Sequence, residues 1–163
     1  MAKLCTAFVS KISSNMNLFL NYTFEQRLRS WHDLRESLKE ESLENICVKV
    51  DEFWQYCPLN TYYLHPHDIP DWPGPWELLN DNNYCYFARA LGMIYTLILL
   101  GIKDIDLIEA KDYNSIDVVL VTVDNAKYVL NYWPNSVVNT SLSEFQIIKK
   151  HDITPLYDKT GQA

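Results

Sequence analysis

The feature that most constrains this chain is the run NNYCYFARALGMIYTLILLG at residues 82–101. From about Asn83 to Leu100 it reads as a helix that is apolar on nearly every face. Such a helix has no side to offer water, so other parts of the chain must surround it. Its longest apolar stretch, Ala90 to Leu100, is interrupted by Thr96 and falls well short of the ~20 residues that span a membrane. The segment is therefore predicted to be the buried spine of a domain, ended by Gly101.

What surrounds the spine can be read on both sides of it. Upstream, TFEQRLRSWHDLRESLKEE (Thr23 to Glu41) opens with a capping-box pair, Thr23 and Gln26. Phe24, Leu28, Trp31, Leu34 and Leu38 then recur at helical spacing. A second helix is predicted from Ser42 to about Tyr56, with Leu43, Ile46, Val50, Phe53 and Trp54 on its apolar side. Pro58, Pro66, Pro70, Pro73 and Pro75 then forbid a long helix, and the aromatic segment between them reads as a loop held by packing. Downstream, DIDLIEA, IDVVLVTV and KYVLNYW read as strands of β-branched and aromatic residues. Asp124 and Asn125 join the last two as an antiparallel hairpin. A short helical stretch, SLSEFQIIKK, and a weakly specified end complete the chain.

Helices, a buried central helix and then an antiparallel sheet make an α+β plan. With 163 residues there is enough chain for one domain with a core. The predicted division is an N-terminal helical extension (1–41), a core (42–140) and a C-terminal tail (141–163). A net charge of −7 argues against a nucleic-acid binder, which needs a basic face, and against a polybasic membrane anchor. The opening MAKLCTAFVSKISS has too brief an apolar run for a signal peptide, and no small-residue cleavage site follows it. The expectation is a soluble, unexported protein with no membrane span.

Four cysteines, Cys5, Cys47, Cys57 and Cys85, stand at irregular spacings, without a C-x-x-C or a Cys/His pair at zinc spacing. They read as reduced thiols. His65 and His67 form an H-x-H without a third ligand nearby, which fits a surface loop better than a metal pair. No metal and no cofactor is expected.

Cys85 is the exception among the thiols, because it opens the spine helix. A helix N-terminus favours a thiolate. A sheet packed on that helix can present a base, together with a carboxylate or amide to orient it. PWELLNDNNYC (Pro75 to Cys85), the helix and strand YCYFARALGMIYTLILLGIKDIDLIEA, and the hairpin IDVVLVTVDNAKYVLNYW follow one another in a telling order. In that order and spacing, from about residue 43 to residue 134, the chain resembles the transglutaminase-like, papain-type cysteine enzymes. It also resembles small transglutaminase-like proteins of large tailed bacteriophages. The resemblance implies a Cys nucleophile at position 85, a His at the head of the second strand and an Asp or Asn on the third. The chain matches at Cys85 and at Asn131, but Asp117 stands where the family has its histidine. A carboxylate there cannot serve as an imidazolium, and beside a thiol it opposes ionisation.

The resulting expectation is a transglutaminase-like fold without its catalytic base. It would act as a structural or protein-binding part of a phage virion, in a tail or baseplate, with other proteins as partners and with the host cytoplasm or the virion as its setting. The aromatic loop residues Tyr62, Tyr63, Trp72 and Trp76 are expected to supply a contact surface. Trp72, Trp76 and Trp133 are otherwise read as core and lid packing. One alternative is a cysteine hydrolase or acyl-transferase, with Cys85 as nucleophile, His65 or His67 as base and Asn131 as orienter. A second is an intracellular effector that binds a host protein.

Overall fold

A computed structural model of the chain describes residues 18–60, 64 and 69–161. Helix α1 (Phe24–Leu38) begins at the predicted capping box: Thr23 Oγ1 accepts the Gln26 N–H at 3.3 Å and Gln26 Oε1 accepts the Thr23 N–H at 2.9 Å. Helix α2 (Leu43–Gln55) is capped by Ser42, whose hydroxyl accepts the Asn45 N–H at 3.2 Å. A single 3-10 turn (Ile69–Asp71) leads to α3 (Pro75–Asp81), and the spine is α4 (Tyr86–Leu99). The strands are β1 (Ile105–Lys111), β2 (Asp117–Val123), β3 (Tyr128–Leu130) and β4 (Gln146–His151), and α5 (Thr154–Lys159) follows them.

The strands form one antiparallel sheet in the order β3-β2-β1-β4. Its main face carries Ile105, Leu107, Val119, Val121, Val123 and Leu130 into the core shared with α4. The opposite face holds a smaller cluster of Ile108, Ala110, Leu120, Val129 and Phe145, with Tyr132 and Leu142 packed against it. β2 is therefore covered on both faces, which is why IDVVLVTV is a continuous apolar run and not an alternating one. Gly101 ends α4 at φ +80°, and the N–H groups of Gly101 and Ile102 close onto the Ile98 and Leu97 carbonyls at 2.9 and 3.0 Å. That is a Schellman end, which needs a residue free to adopt positive φ.

α4 is buried along nearly its whole length, as its sequence requires. Its one aliphatic hydroxyl, Thr96, is fully used. It accepts the indole N–H of Trp31 at 2.8 Å and that of Trp54 at 3.0 Å, and donates to the Gly92 carbonyl at 2.7 Å. One side chain thus fastens α1 and α2 to the spine. Gly92 is there for contact: a Cβ at this position would lie 2.5 Å from the Trp54 ring. The helix forgoes the roughly 1 kcal/mol that alanine would add, and the indole seats directly on the backbone.

Four expectations are corrected. The segment before the spine is not all loop, because Pro75 occupies the first turn of α3, where its missing N–H has no intrahelical partner to lose. The two-residue Asp124–Asn125 turn is a longer connection, with Asp124, Asn125 and Ala126 all at positive φ. Asp104 holds it by accepting the Asn125 N–H at 2.5 Å. The predicted helix over SLSEFQIIKK is a 3-10 turn (Leu142–Glu144) followed by β4. The weakly specified end contains α5, whose Leu156 is completely buried.

Candidate functional site

Two loop contacts bring the chain to the head of α4. Asn60 N donates to the Tyr84 carbonyl at 2.9 Å, and Asn60 Nδ2 donates to Asn83 Oδ1 at 3.0 Å. Tyr84 is buried against Phe19 and Trp54. Cys85 is therefore delivered in extended backbone as the N-cap residue of α4, one place before the first helical position. It is buried, and its side chain makes no cap hydrogen bond.

Cys85 opens on a cleft of about 370 Å³ whose walls include Tyr86, Phe87, Glu109, Asp117, Val119 and Ile148. An adjoining cleft of about 460 Å³ shares Leu59, Tyr86, Asp117, Val118 and Val119 with it and extends to Arg89, Asn131 and Trp133. Together they form one groove, and the three positions singled out from the sequence, Cys85, Asp117 and Asn131, all line it. A bulge in the edge strand contributes a wall. Glu109 pairs with Lys149 and Ala110 with Ile147, so Ile148 is the extra residue and faces the cleft.

Asp117 is a solvated carboxylate at the strand end, joined to Lys111 Nζ at 2.6 Å. Asn131 differs from its prediction as a strand residue. β3 ends at Leu130, and Asn131 turns out of it at φ +67° with its side chain buried. Its Oδ1 accepts from Arg89 Nε at 2.5 Å, and its Nδ2 donates to the Tyr86 and Val119 carbonyls at 3.1 and 2.7 Å. Its backbone N–H donates to Asp51 Oδ1 at 2.8 Å. One side chain thus ties the first turn of α4 to β2.

Asp51 and Arg89 completed this network without being foreseen. Both left a trace in the sequence: Asp51 falls on the apolar side of α2, and Arg89 is the sole charge in the spine helix. Burial pushes the Asp51 carboxyl up to about 6, against the opposing pull of the Asn131 N–H, the Gln55 amide and the Arg89 guanidinium. The folded value lies above the unfolded value of about 3.9, so the native state takes up this proton first as pH falls. Stability should therefore rise on acidification through pH 6. The gain from this group is about 1 kcal/mol by pH 5 and approaches about 3 kcal/mol once both states are protonated. Urea unfolding at pH 7.5 and pH 5 measures it, and Asp51→Asn should remove that part of the slope.

Neither described histidine is hydrogen-bonded to Cys85. His32 is exposed on α1 beside Asp33 and Glu36. His151, expected in a loose tail, is buried in β4 between Trp72 and Phe87, with Nε2 2.7 Å from Glu109 Oε2. Neither lines the groove, and His65 and His67 lie outside the described residues. Among the described residues no group of His, Cys, Asp or Glu is arranged to hold a metal ion. Cys47 and Cys57 are core residues, and burial pushes each thiol up to about 12.

The expected contact surface is redistributed. Trp72 is buried, its ring packed on Phe87 and His151, because the 3-10 turn folds it inward. Trp76 is half exposed on α3, while Tyr62 and Tyr63 lie outside the described residues. Trp133, expected to be packed, is 65% exposed on the groove rim. Leu59, Tyr86, Ile116 and Ile148 are exposed with it. Among the described residues no helix is long and apolar enough to cross a membrane. No family model matches the chain, and no curated protein matches its sequence.

Proposed function

We propose that this chain is a non-catalytic, transglutaminase-like binding module whose groove, between the head of α4 and β2, takes a segment of a partner protein. The observation that carries this reading is the state of Asn131. The residue that would orient a catalytic base has every polar side-chain atom engaged in holding α4 to β2. The residue at the base position, Asp117, is paired with Lys111 at the surface. Around these positions the groove offers exposed aromatic and aliphatic side chains, which give large contact area at low entropic cost. The partner proposed is another protein of a tailed-phage particle, in the tail or baseplate, with neither nucleic acid nor a cofactor involved.

Cys85 decides between this reading and a cysteine hydrolase. A buried thiol at the cleft wall, with no described imidazole hydrogen-bonded to it, should react slowly. Cys85→Ala should fold with a loss of about 1 kcal/mol for the small cavity and should leave incorporation into particles unchanged. Rapid, selective carboxymethylation of Cys85 by iodoacetamide at neutral pH, with loss of particle function in a folded Cys85→Ser variant, would establish the enzyme instead. Absence of the chain from purified particles would remove the virion assignment.

A further inference from the structure

We propose that the protonation state of Asp51 sets the position of the Tyr132–Trp133–Pro134 segment, and with it the rim of the groove. Two paths connect the carboxylate to that segment. Asp51 Oδ1 accepts the Asn131 N–H at 2.8 Å, immediately before Tyr132. The Gln55 amide donates to both Asp51 oxygens, at 3.2 and 3.4 Å, and to the Tyr132 carbonyl at 3.4 Å. The hinge between them is Asn131, at φ +67°, a conformation that L side chains adopt at an energetic cost and that its surroundings must impose.

Asp51 sits in an environment that makes its charge adjustable. Arg89 of α4 faces it and favours the ionised form, whereas Glu52 of its own helix opposes it. The Cys47 thiol, also on α2, interacts with it as well. Burial outweighs the favourable contacts and brings the carboxyl to about 6. Above that pH the carboxylate holds both the Asn131 N–H and the Gln55 amide by charge-assisted bonds. When it is protonated, one oxygen becomes a donor and both bonds lose that assistance. The Asn131 side chain stays bonded to Arg89 and to the Tyr86 and Val119 carbonyls, so the relaxation falls on its peptide N–H and on the residues that follow it, and Gln55, less firmly held, releases the Tyr132 carbonyl. Trp133 is the side chain placed to respond. It is exposed and stacked edge-on with Tyr132 at 5.9 Å, and its carbonyl accepts the Ser136 N–H at 3.3 Å. Protonation of Asp51 therefore alters the groove without opening the core.

The functional consequence, binding that weakens below pH 6, rests on the reading of the groove as a binding site. The conformational claim does not, and it is tested without a partner. In NMR titration of the full chain from pH 7.5 to pH 5, the Asn131 amide proton and the Trp133 indole N–H should shift with one shared midpoint near 6. The Trp31 and Trp54 indoles, both bonded to Thr96, should not move. In Asp51→Asn both shifts should vanish. The proposal is overturned if Asn131 titrates while Trp133 stays still, if their midpoints differ, if neither titrates in this range, or if the Trp133 shift survives in Asp51→Asn. Should that variant not fold, the two wild-type midpoints decide alone. A titrating Trp133 in a protein that binds no particle component would sink the binding reading and leave this one standing.

Discussion

Asn131→Ala is expected to destabilise the protein by about 4–7 kcal/mol. It removes the acceptor for Arg89 Nε and the two donors that satisfy the Tyr86 and Val119 carbonyls. A bond to a charged donor is worth roughly 1.5–3 kcal/mol, and each neutral one about 1 kcal/mol. Alanine at φ +67° adds about 1–2 kcal/mol of backbone strain. Asn131→Gly separates the two contributions, since glycine accepts positive φ and lacks only the side chain. It should recover about 1 kcal/mol of the loss. Urea unfolding of both variants measures the effect. A residue whose only task was to orient a catalytic base would show little change in stability, so a loss below about 1 kcal/mol would remove the main support for a structural role.

Thr96→Val should cost about 2–6 kcal/mol, although the two side chains have nearly the same shape. The hydroxyl is the acceptor for two buried indole N–H groups. Each donor left buried without a partner costs roughly 1–3 kcal/mol. Thr96→Ser keeps the oxygen and loses a methyl, so it should cost only about 1 kcal/mol. Thermal and urea unfolding of the pair should therefore order them Thr, then Ser, then Val. Equal losses for Ser and Val would mean that packing, not hydrogen bonding, sets the value of this position.

These two residues show different degrees of legibility. Thr96 was visible as the interruption of the apolar run, but not its two indole partners, which come from 65 and 42 residues away. Asn131 was singled out by resemblance as an orienting residue. The structure gives it four hydrogen bonds, which reach α2, α4 and β2.

Where structure is decided locally, the residues alone specified it. The Thr23 capping box, the spine helix, the Gly101 stop and the β-branched runs of β1 and β2 each depend on neighbours a few places away or on burial that an apolar stretch demands. β4 was decided by tertiary structure. Leu142, Phe145 and Ile148 repeat at a helix-like interval, yet the segment pairs with the open edge of β1, because a paired backbone there satisfies both strands at once. Trp133, read as packed, is exposed, and Trp72, read both as contact surface and as core packing, is buried, for the same kind of reason. An aromatic ring is buried or exposed according to which elements meet over it, and those elements are distant in sequence. The groove itself belongs to this second class: the head of α4, the bulge at Ile148 and the turn at Asn131 become one surface only when the sheet packs on the helix.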